Sequence, residues 1–214
     1  MKLPIILGLF LSCGSASMAS LATGTGEQLL YDVYLDDTRI GYHKVVIRPE
    51  ASRKIVEVEA EFKVKFLLFT AYAYQHRTRE EWQDNCLVSI TSQTNDNGER
   101  FSVNGNKQDG EFKVKTDESS QKLTGCVKTF AYWDPKLLKA NYLLNTQTGV
   151  YTPVETRFIG MKNIDIGGKT ISANHYRIES RKFDIDLWYS NNMEWLALST
   201  ATENGANLRY IRQL

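Results

Sequence analysis

The sequence predicts an all-β fold with one short helix, an antiparallel curled sheet forming a barrel or half-barrel. Three features carry that prediction: a long stretch of strict apolar–polar alternation, turn-forming residues at short intervals, and a single segment whose apolar spacing is helical.

The alternation runs from Ile55 to Phe66, where Val56, Val58, Ala60, Phe62, Val64 and Phe66 interleave with Glu57, Glu59, Glu61, Lys63 and Lys65. A repeat of two over that length means a strand with one wet and one buried face, since a helix would spread the charges around its circumference. Upstream, Gln28 to Leu35 and Arg39 to Arg48 read as two strands turned at Asp36, Asp37 and Thr38. Downstream, Tyr72, Tyr74, His76, Thr78, Glu80 and Trp82 share one face, with Gln75, Arg77, Arg79 and Glu81 on the other. "DNG" at Asp96 to Gly98, "NGN" at Asn104 to Asn106, Gly167–Gly168, "SNN" at Ser190 to Asn192 and "ENG" at Glu203 to Gly205 are the expected turns. Ten or eleven strands follow, joined mostly by short connections, which selects antiparallel pairing and a sheet that curls.

The helical exception lies in "FAYWDPKLLKANYLLNTQTG", Phe130 to Gly149. Asp134 before Pro135 is a good helix start, and Leu137, Leu138 and Tyr142 follow at helical spacing. A helix of two or three turns is expected from Asp134 to Tyr142, capping or filling the open side of the sheet.

Residues 1–22 have the layout of a cleaved signal peptide: Lys2, an apolar run from Leu3 to Leu11, then small residues up to Ala19 or Ala22. The run is too short to span a bilayer, which takes roughly 20 residues. "FLSC" loosely matches a lipobox and makes lipid anchoring at Cys13 the alternative. Periplasmic export of a single domain, 23–214, is the expectation. Without the leader, 25 basic residues face 25 acidic ones. That balance argues against nucleic acid as a partner and offers no polybasic handle for anionic lipid. The apolar runs that remain are too short for an integral membrane protein.

Cys86 and Cys126 remain after cleavage, in a compartment that permits disulfides. A bridge is expected on compartment and parity, worth roughly 4 kcal/mol in the chain-entropy model; two buried thiols are the alternative.

Chemical motifs are sparse. Lys169 and Thr170 after the two glycines end like a phosphate loop, but Asn163 stands where its first glycine belongs, so a hairpin turn is the reading. No serine-nucleophile elbow, paired-histidine zinc motif or CxxC occurs. Asp184 and Asp186 fall on one strand face and read as solvated. His43, His76 and His175 lie on separate strands without metal-site spacing, so no metal, cofactor or catalytic residue is assigned. The 24 aromatic residues suit a pocket wall as well as a β core.

"YDVYLDDTRIGYH", "CLVSITSQTNDNGER", "FAYWDP", "LLNTQTG" and "DIDLWYSNNMEWLAL", in order along most of the chain, resemble an exported bacterial family known as domain of unknown function 6134. That resemblance implies no activity. The opening hairpin is also similar to periplasmic proteins whose sheets curl like LolA-type lipoprotein carriers, which implies a lipid-like ligand by fold analogy alone.

The reading that results is a non-enzymatic carrier of an apolar or amphipathic, lipid-like small molecule. Its candidate ligand-binding residues are Tyr72, Tyr74, His76, Trp82, Trp133, Tyr142 and Trp188. The alternatives are an envelope assembly protein with a filled core that contacts a partner protein, and a hydrolase or isomerase using His76 or His175.

Overall fold

The computed structural model describes residues 26–66 and 69–214. The expected leader and Cys13 lie outside the described residues. Eight strands form a first meander: β1 (Glu27–Leu35), β2 (Thr38–Glu50), β3 (Arg53–Phe66), β4 (Phe69–Gln83), β5 (Cys86–Asp96), β6 (Glu99–Gln108), β7 (Glu111–Thr116) and β8 (Ser120–Thr124). Two short strands, β9 (Tyr142–Leu144) and β10 (Tyr151–Pro153), form a separate two-stranded ribbon. A second meander follows: β11 (Glu155–Ile166), β12 (Lys169–Glu179), β13 (Asp184–Tyr189), β14 (Trp195–Ala201) and β15 (Asn207–Arg212).

The two meanders join through β15 and β1, which pair antiparallel from Tyr31 opposite Arg212 to Leu35 opposite Leu208. One 13-stranded antiparallel sheet results, with β8 and β11 as its edges, so it does not close. It curls strongly. Leu29, Val56, Ile90 and Val114 from one half share a buried cluster with Ile178, Leu187 and Leu198 from the other, which a flat sheet of this width could not bring together.

The alternation in β3 sorts the faces as the sequence indicates. Val56, Ala60 and Phe62 are buried, while Glu57 and Glu59 face outward and bridge Arg48, Arg79, Lys44 and Arg77 across neighbouring strands. Such exposed pairs are worth about 0–1 kcal/mol each, so burial of the other face fixes the register.

Two local expectations are corrected. "NGN" is no turn: Asn104 to Asn106 lie inside β6, and the reversal comes at Asp109–Gly110, both with positive φ (53° and 81°). Gly105 is required for space instead, because a Cβ there would lie 2.7 Å from the ring of Phe112. The second correction is the helix, which is a 3-10 turn of five residues, Pro135–Lys139. Asp134 caps it as expected, accepting from the Lys136 amide at 3.1 Å. Ala140 is already extended, and Tyr142 begins β9. The helix stops because Leu143 and Leu144, both fully buried, must pair as strand with Tyr151 and Thr152.

The segment between β8 and β11 runs inside the curl. Val127, Ala131, Leu137, Leu143 and Leu144 are all buried in the main core cluster. The Cys86–Cys126 disulfide fastens its entrance to the first residue of β5, and the Leu87 amide donates to the Val127 carbonyl beside it at 2.9 Å. "FAYWDPKLLKANYLLNTQTG" is therefore a fastened plug.

Candidate functional site

The plug fills the curl only in part. Above it lies an open cavity of about 980 Å³, near the top of the ~300–1,000 Å³ range of small-molecule sites. Its floor is Thr129 to Trp133 of the plug, and its walls come from β2, β3, β4, β14 and β15. The wall is mainly apolar and aromatic. Phe62 stacks on Tyr74 at 5.0 Å between centroids and meets Tyr210 edge-on, while Tyr132 tilts against Trp195.

Polar groups cluster on β4, whose residues two apart share the inward face. His76 is buried, with Nδ1 2.7 Å from the Thr94 hydroxyl and Nε2 2.8 Å from that of Thr78. Thr78 donates onward to Ser92 at 3.1 Å, so the neutral ring carries its proton on Nε2 and accepts at Nδ1. The plug reaches this network through Thr146, 3.2 Å from Nε2. Nearer the mouth, Asp96 accepts from the Tyr72 hydroxyl at 2.7 Å and from the Gln147 amide at 3.0 Å, and Tyr74 donates to Gln147 at 3.1 Å. The tip of the plug is thus held by side chains that also line the cavity.

Glu80, only 2% exposed, lies at the level of the floor. Trp82 donates its indole N–H to the carboxyl at 2.8 Å, and burial pushes the acid up to about 7. The Thr129 hydroxyl stands beside it but makes no hydrogen bond of good geometry. Burial moves the two inward histidines the other way, His43 down to about 3 and His76 down to about 4.

Of the residues singled out in the sequence, Tyr72, Tyr74, His76 and Trp133 line the cavity. Trp82, Tyr142 and Trp188 do not. Trp82 is buried beside the floor, edge-on to Trp133 at 5.6 Å. Tyr142 is half exposed and stacks on Tyr151 in the β9–β10 ribbon. Trp188 stacks on His175 at 4.8 Å and packs in a separate cluster with Leu196 and Ala197. His43, Glu80, Asp96, Tyr132, Trp195 and Tyr210 line the cavity without having been selected, although the alternation in β4 had already placed Glu80 on the inward face.

No carboxylate hydrogen-bonds His76. His175 does have one, Asp186 at 2.6 Å, but Arg177 holds both oxygens of that carboxylate at 2.9 and 3.0 Å, and His175 is not among the lining residues. Among the described residues there is no group of three or more potential metal ligands, and no helix is long and apolar enough to cross a membrane.

The model of the family described as "Domain of unknown function (DUF6134)" matches residues 31–213. The chain belongs to that family. No curated protein matches it. Among solved structures it is similar to a β-barrel-like protein of domain of unknown function DUF1849 from Brucella abortus, with a TM-score of 0.59 over 88% of this chain and 96% of the other. At 12% identity that likeness shows the shared β-barrel-like fold alone. The DUF6134 match begins at Tyr31 and so takes in β15, the plug and most of β1 together.

The buried ionisable groups give a pH signature. Unfolding lets Glu80 ionise from about pH 4.5 upward, whereas the folded carboxyl holds its proton to about 7; its stabilising contribution is full below 4.5 and lost as pH rises through 7. The histidines act oppositely: their contribution is full above 6.5 and is lost as pH falls toward 4 and 3. Between about pH 4.5 and 6.5, two imidazoles work against one carboxyl, a net of about 1.4 kcal/mol per pH unit. Glu80→Gln is expected to double that slope, read from urea midpoints across the window. An unchanged slope would mean that Glu80 is not protonated in the folded state.

Proposed function

We propose that the protein is a non-enzymatic, exported binding or carrier protein that holds an apolar or amphipathic molecule in the cavity above the plug. The carrying observation is that the plug, though buried and covalently fastened, leaves about 980 Å³ with an apolar, aromatic wall and one polar row. A core meant only for stability would be filled, because interiors pack to crystal-like density. The disulfide supports a periplasmic location, since such bridges persist in oxidising compartments. His76 serves this reading better as a fixed hydrogen-bonding group than as a base: its burial makes it a weak one, and no carboxylate orients it.

Protein purified from its own compartment is expected to release a small amphipath on organic extraction, and the emptied protein to bind the neutral dye N-phenyl-1-naphthylamine. Absence of both would remove the carrier reading. A second reading, an envelope interaction protein, draws on the edge strand β11, where Phe158, Ile159 and Met161 are 57%, 50% and 63% exposed. It predicts that Phe158→Ser with Met161→Ser abolishes partner cross-linking in the envelope while dye binding persists.

A further inference from the structure

We infer that the cavity selects its occupant by charge, taking an amphipath with a cationic head over a neutral one and an anionic one last; this rests on the binding reading above. Glu80, Asp96 and Glu203 line the cavity, and no lysine or arginine is among the lining residues described. Lys54 reaches the ring of Trp133, at 5.6 Å, without being a lining residue itself.

His43 and His76 cannot substitute for the missing cations. Burial keeps both rings neutral near pH 7, and His76 is already committed to three hydroxyl partners. A carboxylate or phosphate head drawn inside would thus lose water, find no counter-charge and face Asp96 and Glu203, joined by Glu80 once the pH exceeds about 7, which is the costly arrangement for a buried ion.

A cationic head meets the opposite situation. Aromatic rings attract a desolvated cation, and Tyr74, Tyr132 and Tyr210 line the cavity. Aromatic faces with a carboxyl nearby are the usual recognition elements for quaternary ammonium. Thr129 lies on the same floor, 1% exposed, with its hydroxyl beside the Glu80 carboxyl.

The test uses three ten-carbon probes of one tail and three heads: decyltrimethylammonium, 1-decanol and decanoate. Each displaces N-phenyl-1-naphthylamine from the full-length mature protein at low salt and about pH 7.5, where decanoate is ionised. Decyltrimethylammonium is expected to bind at least about tenfold tighter than decanoate, a difference of about 1.4 kcal/mol, with decanol between. In Glu80→Gln with Asp96→Asn the cation-to-anion ratio is expected to fall at least about fivefold; a merely loosened cavity would weaken all three probes and leave the ratio in place. Circular dichroism at the same concentrations separates binding from unfolding by the detergent. Equal or reversed affinities overturn the charge selection and leave the carrier reading standing. Failure of the dye and all three probes overturns the carrier reading and this inference with it.

Discussion

Gly41→Ala is expected to be the most damaging single-methyl substitution in the chain, costing more than about 4 kcal/mol or preventing soluble expression. Gly41 sits in β2 opposite Phe62, immediately after a bulge that leaves Ile40 without a partner in β1. A Cβ at this position would lie 1.8 Å from the Glu61 carbonyl oxygen, 2.8 Å from its carbon and 2.9 Å from the Phe62 Cα. All three atoms are backbone. Relief therefore requires β2 and β3 to part, and this pairing carries the inward row that ends in Tyr74 and His76. Gly105→Ala is the control. Its nearest contacts are side-chain atoms of Phe112 and Ile90, not backbone, so a smaller loss of about 1–3 kcal/mol is expected. Urea denaturation of both variants checks the order, and a Gly41 variant more stable than the Gly105 variant would contradict the β2–β3 geometry.

Breaking the Cys86–Cys126 bridge is the second large effect. The two cysteines are 40 positions apart in sequence, which gives about 4 kcal/mol in the chain-entropy model. At roughly 2–4 °C per kcal/mol for a protein of this size, the melting temperature should fall by about 8–16 °C on reduction or in Cys86→Ser with Cys126→Ser. Cys126 is exposed, so a mild reductant reaches the bridge without prior unfolding. The plug itself should remain docked at 25 °C, because Val127, Leu137, Leu143 and Leu144 stay buried whatever the sulfurs do. Scanning calorimetry with and without reductant measures the first effect, and dye binding by the reduced protein the second. Loss of dye binding at full sheet signal would show that the bridge, and not the packing, holds the floor.

The sheet was legible where one face is wet. Alternation named inward residues correctly from Val56 to Phe62 in β3 and from Tyr74 to Glu80 in β4, because charge on every second position leaves a single register. Depth along the inward face was not legible. Trp82 has the right parity, yet the plug covers it, and nothing local to "EEWQ" records what another segment will lay on top. Trp188 shares the outward face of β13 with Asp184 and Asp186, so period-two parity in fact separates it from the buried Ile185, Leu187 and Tyr189. The helix was overextended because Leu137, Leu138 and Tyr142 match its spacing, while the competing pairing of β9 with β10 depends on residues about ten positions away. Trp195 and Tyr210 went unselected for a further reason: their place beside β2 and β3 follows from β15 lying next to β1, a pairing across some 170 residues that no local pattern announces.

That last pairing has a bearing on how the chain acquires its shape. The strand that follows all the others in sequence lies in the interior of the sheet, between β14 and β1, while the outer margins come from mid-chain. During folding each half would wait with an unsatisfied flank, β1 on one side and β14 on the other, until β15 arrives to zip them. Such a late, distant closure makes for slow assembly and a period of vulnerability to edge-to-edge aggregation. Shielding of these flanks by a folding factor would then govern yield more than final stability does.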